Sequence, residues 1–286
     1  LGGMHVKTKK WKSEMKFNIA KNSNKLVELA DGVDSYSIYW TSFTTRLYNY
    51  AMVGKSLGVI TGNTWERDDN GNIIFHELSA SQKALYGGEY VPTYNQNTLD
   101  ELGNFHPDFT GGFNTSISFK NFRLSANIDF SVGGQIVSYT NMWGSSSGIL
   151  DKTAELNDRG VNVREPVSKG GGIHMTGVDQ NGNKVDTYVN AKLYYTTASR
   201  VWEEWVYDRT YVKLREVSLS YVFPSQTLKK LNIGLSRASV AINASNPWLI
   251  YSACPNVDVS EIGMGYFEGG NAAATRSIGF TVNLAF

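Results

Sequence analysis

The sequence predicts an all-β chain, an antiparallel transmembrane β-barrel wall, and three observations predict it. The last ten residues, Ser277 to Phe286, alternate without a fault: Ile278, Phe280, Val282, Leu284 and Phe286 on one face, Ser277, Gly279, Thr281, Asn283 and Ala285 on the other. Period-two alternation of this kind separates an apolar surface from a wet one. Connections between such segments fall into two classes, short turns and very long loops, which is the sidedness of outer-membrane barrels. Mean hydropathy is only −0.29, and no run approaches the ~18 apolar residues of a membrane helix. Barrel strands hide their lipid face in alternate positions, so a low average is what they give. Alternation alone also fits a soluble sandwich, whose apolar face points at a core; the loop asymmetry favours the barrel.

The elements follow in order. Met15, Phe17 and Ile19 alternate with Lys16, Asn18 and Ala20, which predicts a strand over about 11–21. Between Phe43 and Arg67 a further strand is expected, at about 44–66, interrupted by Gly54, Gly58 and Gly62. Phe113 to Lys120 and Phe122 to Val132 alternate on either side of Lys120-Asn121, a hairpin with a minimal turn. A strand from Tyr211 stops at Pro224, because proline cannot donate to the ladder. Val240 and Ile242 mark another, and residues 275–286 the last. The long connections lie at about 76–109, 133–210 and 249–274, well beyond the length usual for structureless loops. With the C-terminus on the periplasmic side, strands 275–286, 211–223, 110–119 and 11–21 run down. Strands 237–248, 122–132 and about 44–66 run up, and every short turn is periplasmic. Seven strands leave two open edges, so further strands must come from elsewhere.

Composition narrows the chemistry. The formal charge of +1 gives no electrostatic case for nucleic acid. The lone Cys254 excludes an internal disulfide framework and a Cys-based zinc site. With 16 Tyr, 7 Trp and 28 Gly, strands and turns are favoured over helices. The opening Leu1-Gly2-Gly3 has no charged and apolar leader behind it, so the chain reads as part of something longer.

Leu102-Gly103-Asn104-Phe105-His106-Pro107-Asp108-Phe109-Thr110-Gly111-Gly112-Phe113-Asn114 resembles a segment of the SusC/RagA family of TonB-linked outer-membrane transporters. Phe122-Arg123-Leu124-Ser125 followed by Val132-Gly133-Gly134 fits the family's next hairpin. Tyr211-Val212-Lys213-Leu214-Arg215-Glu216-Val217-Ser218-Leu219-Ser220-Tyr221-Val222-Phe223-Pro224 is similar to its most recognisable signature, and Asn246-Pro247-Trp248 to a later one. Where the family often has an acidic Asp-Pro-Glu run, this chain has Cys254-Pro255-Asn256-Val257-Asp258. The resemblance implies an active importer of about 22 strands around a plug. Residues 1–286 would be the C-terminal portion of that barrel, without plug or TonB box. It implies a Gram-negative, Bacteroidetes-like outer membrane, a SusD-like surface lipoprotein as lid, TonB acting through regions outside these residues, and oligosaccharide or peptide substrates. Contacts with lipid, lipopolysaccharide and the barrel-assembly machinery would follow, with Phe286 as the assembly signal and Ile278, Phe280, Val282 and Leu284 facing lipid. Two other readings stay open: a barrel of this ancestry serving as a scaffold subunit, and a soluble secreted glycan-binding protein.

Tyr194, Tyr195, Trp202, Glu203, Glu204 and Trp205, with Tyr207 behind them, are the candidate substrate or lid contacts. Aromatic faces stack on sugar rings or peptide side chains, and carboxylates accept from hydroxyls; loop packing and an interfacial girdle explain the same residues. Lys213 and Arg215 share parity with Val217, Leu219 and Tyr221 and are expected to face outward toward lipopolysaccharide phosphates, unless a bulge turns them to the lumen. Asp68-Asp69-Asn70-Gly71-Asn72 and Asp179-Gln180-Asn181-Gly182-Asn183 lack the twelfth-position Glu of a calcium loop and read as hairpin tips. His5, His76, His106 and His174 are scattered, without metal or triad spacing. Ser145-Ser146-Ser147-Gly148 is no nucleophile elbow, and Gly170-Gly171-Gly172 is no phosphate loop. Neither an enzyme, a cofactor nor a metal is expected, and Cys254 is expected to be an inert loop thiol.

Overall fold

The structure is a computed structural model. It describes residues 2–286 except 9, 42–45, 97–98, 232–233, 263–264, 271 and 273. A first hairpin, β1 (Gly2–Lys7) and β2 (Trp11–Ala20), leads into a long excursion carrying β3 (Ser35–Thr41), β4 (Leu47–Met52), β5 (Val59–Gly62), β6 (Ile74–Glu77), α1 (Ala80–Tyr86), β7 (Tyr90–Pro92) and β8 (Asp100–Asn104). The hairpin β9 (Phe109–Phe119) and β10 (Phe122–Val132) follows. A second excursion holds β11 (Gln135–Ser138), α2 (Tyr139–Ser146), β12 (Ile173–Asp179), β13 (Lys184–Val189), α3 (Ala191–Ala198) and β14 (Val206–Asp208). Then come β15 (Tyr211–Val222), α4 (Ser225–Leu231), β16 (Arg237–Ser252), the short β17 (Phe267–Glu268) and β18 (Ser277–Ala285).

The long strands form one seven-stranded antiparallel sheet, β1-β2-β9-β10-β15-β16-β18. Its register aligns like with like. Trp11, Phe119, Phe122, Tyr221, Val240 and Val282 form one continuous row across six strands; Ser13, Ile117, Leu124, Leu219, Ile242 and Phe280 form the next. The rows between them, on the opposite face, read Lys12, Ser118, Arg123, Ser220, Ala241, Thr281 and Glu14, Ser116, Ser125, Ser218, Asn243, Gly279. Antiparallel pairing keeps directly opposed side chains on the same face. Six alternating sequences therefore merge into one apolar and one polar surface. The apolar surface is uncovered: Leu124 and Leu219, both on interior strands, are 45% and 48% exposed. A soluble sheet would bury such positions.

All short connections lie at one end of the sheet: the link from β1 to β2, Lys120-Asn121, and the α4 turn after β15. At that end Trp11 packs on Phe119 at 4.4 Å between centroids and Phe122 on Tyr221 at 4.8 Å. The three long excursions leave from the other end.

One expected wall strand is absent. The segment at about 44–66 forms β4 and β5, which pair with β3 and β8 in a separate four-stranded sheet, β3-β4-β5-β8; Phe43 lies outside the described residues. These strands are too short to span, at six and four residues, where a wall strand needs ~9–11. Leu47, Asn49 and Ala51 turn into a packed core, and every residue of β5 is buried. The seventh strand of the wall is instead β1, so β2 runs toward the loop end, opposite to the expected direction. Sidedness survives the exchange because the link from β1 to β2 joins the other short ones.

The excursions fold on each other. Leu47, Ile60 and Trp65 from the first, Val137, Tyr139, Met142, Tyr195, Trp202 and Trp205 from the second, and Tyr266 from the third make one apolar core. Connections of this length acquire secondary structure because structureless ones would have little burial to offset chain entropy.

Candidate functional site

The polar face of the sheet is the first candidate surface. It carries a concavity of about 280 Å³ lined by Glu14, Lys16, Asn114, Ser116, Arg123 and Glu216, among others. Its side chains bond across strands: Ser218 Oγ donates to Asn243 Oδ1 at 2.6 Å, and Asn243 Nδ2 to Thr281 Oγ1 at 2.9 Å. A strand-to-strand ladder of this kind satisfies polar groups while leaving others to water or ligand. Opposite it, Ile278 (83%) and Phe280 (68%) are openly exposed with Val282 and Leu284, and Phe286 stands clear at the chain end.

Lys213 and Arg215 lie on the polar face. Asn127 pairs with Glu216 but the next residue, Ile128, pairs with Leu214, so Arg215 is the extra residue of a β-bulge. An extra residue reverses parity beyond it. Lys213 therefore stands opposite Asp129, and the outward placement expected from parity gives way to the bulged alternative. The Lys213 side chain is 1% exposed, and its Nζ donates to Asp258 Oδ2 at 2.7 Å, Glu261 Oε1 at 2.8 Å and Ser260 Oγ at 3.0 Å. Arg215 Nε donates to Asp129 Oδ1 at 2.9 Å, and its Nη1 to the same Glu261. Burial opposes ionisation of Asp258, but donors from Lys213 and Ser260 outweigh it and hold its carboxyl below the usual range. The Lys213 hydrogen bond, reinforced by Arg215, does the same for Glu261.

The aromatic and acidic cluster lies at the heart of the loop core. Trp202 and Trp205 are at most 1% exposed and Tyr195 is buried. Tyr139 meets Trp202 edge-on at 5.0 Å; Trp205 Nε1 donates to Ala198 O at 2.7 Å, and Lys152 Nζ sits 4.5 Å from its ring. The two indoles thus present no free face on which a ring could stack. Glu204 accepts from Trp65 Nε1 at 2.6 Å and from Tyr194 Oη at 3.3 Å, while Glu203 takes a forked bond from Arg67. Burial raises Tyr194 well above the ordinary phenol range and pushes Tyr195 up to about 12, so both stay neutral donors. Tyr207 is half-buried against the same core and raised for the same reason. Of the six, Tyr194, Glu203 and Glu204 keep partial exposure on the rim of this packed core.

Cys254 is 1% exposed, packed with Ile136 and Val259, and burial pushes its thiol up to about 12. His174 is held between two carboxylates, Nδ1 to Asp158 Oδ2 and Nε2 to Asp186 Oδ1, both at 2.8 Å, and its ring stacks on Tyr188. Asp68 and Asp179 each accept from the two backbone N–H groups two and four residues on, with an Asn side chain closing the loop. Their oxygens are committed to the turn. Among the described residues no group of three His, Cys, Asp or Glu side chains is placed to hold a metal. A further cleft of about 430 Å³ between β7 and α3, lined by Glu66, His76, Tyr94, Thr197 and Arg200 among others, carries no signal in the sequence.

No protein-family model matches the chain. It is 27% identical over 250 residues, 85% of its length, to TonB-dependent receptor P3 of Formosa agariphila. It is 23% identical over 308 aligned residues, 96% of its length, to TonB-dependent receptor P26 of the same organism. The chain spans 22% and 27% of these relatives, about a quarter of each. Among solved structures, the RagAB peptide importer in its closed-closed state superposes with a TM-score of 0.65 at 15% identity, covering 99% of this chain and 28% of that one. Another structure of the RagAB peptide transporter gives 0.62 at 14% identity, with the same coverage. The open-sided sheet, with one apolar and one polar face, therefore has the fold of part of those barrels. Sequence and fold agree: the chain is similar to TonB-dependent receptors, and its fold to part of the RagAB transporter.

Proposed function

We propose that this chain forms part of the wall, lumen lining and outer mouth of an outer-membrane importer. One observation carries the reading: a seven-stranded sheet whose apolar face is uncovered, whose polar face is cross-bonded, and whose short turns all share one end. In a membrane the apolar face meets lipid, with Ile278, Phe280, Val282 and Leu284 in its last strand. The turn end is periplasmic, and the folded loops are extracellular. Substrates are oligosaccharides or peptides, taken up under a SusD-like lid and driven by TonB through parts of the protein beyond these residues. The name of the RagAB peptide importer supports the peptide class for that relative. Tyr194, Glu203 and Glu204, at the partly exposed rim, would meet lid or substrate, and the indoles of Trp202 and Trp205 would support them from beneath. Phe286 would be read by the barrel-assembly machinery.

Sided charge tolerance tests the proposal. Val282→Arg places a guanidinium in lipid, where the cost runs from about 1 kcal/mol near the interface to ~2–4 kcal/mol at the midplane, whereas Asn283→Arg enters the lumen and costs far less. The measurement is the yield of heat-modifiable, folded protein in outer membranes. Equal yields for the two variants would overturn the assignment of faces.

A further inference from the structure

We propose that Lys213 and Arg215 form a latch that holds the segment Asp258–Glu261 folded down onto the inner face of the wall, narrowing the mouth of the barrel. Opening this part of the mouth then requires their ion pairs to break. The proposal rests on the reading of the polar face as the lumen. Three observations carry it. The bulge at Arg215 turns two cations inward, where strict alternation would have put them in lipid. Lys213 is buried, and the three acceptors of its ammonium group all belong to one loop segment: Asp258, Ser260 and Glu261. Arg215 spans the junction, with Asp129 of the wall on one side and Glu261 of the loop on the other; Tyr211 Oη also donates to Asp129 at 3.2 Å.

The groups at this junction are two cations and three carboxylates, so wall and loop hold complementary charge. Asp129 stays with the wall when the loop lifts, and the loop leaves with two carboxylates. A buried ion pair of this sort contributes little beyond an apolar contact of the same shape, but losing one partner strands the others and is costly. That asymmetry suits a latch, because the closed state is fixed in one geometry and not simply made sticky. Next to it Cys254 and Val259 pack on Ile136, so the same loop is pinned at a second, apolar point.

Cys254 supplies a native reporter, as it is buried in the latched loop and is the single cysteine of the chain. In the intact protein, in cells, a membrane-impermeant maleimide is expected to label Cys254 slowly, with a Cys254→Ser protein as the blank. Lys213→Met is expected to speed labelling by about a hundredfold, the population shift that a stranded buried charge implies. Lys213→Arg is expected to restore most of the protection. Should Lys213→Met fail to assemble, the pair Asp258→Asn and Glu261→Gln removes the acceptors from the loop and leaves the wall strand untouched. Folded, heat-modifiable protein of either kind whose Cys254 stays as protected as in the parent would overturn the latch. It would show that the apolar contact and the hydrogen bonds of Asn141 with Pro255 and Asn256 suffice to hold the loop. Labelling is read without transport, so an importer that fails to import could still show the latch. A latch that fails leaves the sidedness test above unaffected.

Discussion

At the scale of single residues, His174 shows how a loop side chain becomes pH-sensitive by position alone. The hydrogen bond with Asp186 raises its pKa most, burial works against it, and the charge of Asp158 adds to the rise. Tyr188 stacks on its ring, and Arg159 lies 3.4 Å over the same tyrosine, whose hydroxyl donates to Asp158. The pKa is higher folded than unfolded, so the stabilisation is fully present below the unfolded value of about 6.5. It is lost as pH rises through the folded value. The β12–β13 hairpin is therefore expected to exchange its amides faster, relative to the intrinsic rate, as pH is raised from 6 to 8.5. His174→Gln should abolish that trend while leaving the rest of the protein unchanged. A hairpin whose protection is flat with pH in the parent would refute the assignment. The side chain is about a third exposed, 35%, so solvent screening keeps the effect modest.

At the scale of elements, the β9–β10 hairpin carries a correctable strain. Phe119 and Phe122 pair directly across a two-residue turn, and Lys120 holds a left-handed φ of 52°. Positive φ at the first central position is the geometry that glycine occupies without cost, and a residue with a Cβ loses roughly 1 kcal/mol there. Lys120→Gly is accordingly expected to raise the unfolding free energy by about 0.5–1 kcal/mol in urea titrations of the folded protein. A clear decrease would mean that the contact of Lys120 Nζ with the Phe119 ring, at 5.4 Å, matters more than the backbone.

Elements also show which parts of the architecture the sequence could reveal. Strands β2, β9, β10, β15, β16 and β18 are legible because each alternates over nine or more residues and meets a neighbour of matching phase. β1 was not, being six residues long with two glycines and a lysine at its ends. Residues 44–66 looked like a wall strand because glycine-broken apolar runs give no period that separates a lipid face from a buried loop core. The bulge at Arg215 is invisible to parity, since only the partner strand shows where the extra residue falls. Arg67 and Glu203 stand 136 positions apart, and Trp202 is buried by residues from three excursions. Aromatics in a loop advertise either a ligand or a core, and only tertiary contacts decide between them.

At the scale of the whole molecule, the two outermost strands set the last expectation. β1 and β18 flank the sheet, and each is paired on one side only among the described residues. An unpaired edge leaves a row of N–H and C=O groups without partners, which lipid cannot satisfy. On the proposed reading β18 makes the conflict acute: its apolar side chains would meet lipid at membrane depth, where every backbone group needs a bond. If the sheet belongs to a closed barrel, both edges must be paired by further strands of the intact protein. Hydrogen exchange in detergent-purified intact protein is then expected to protect alternate amides of β18, those pointing away from β16, as strongly as the amides of β15, which has neighbours on both sides. The pairing with β16 protects only the other half of β18, so the alternate set reports on closure alone. Exchange of that set within seconds, against slow exchange in β15, would mean an open sheet and would rule out a sealed wall.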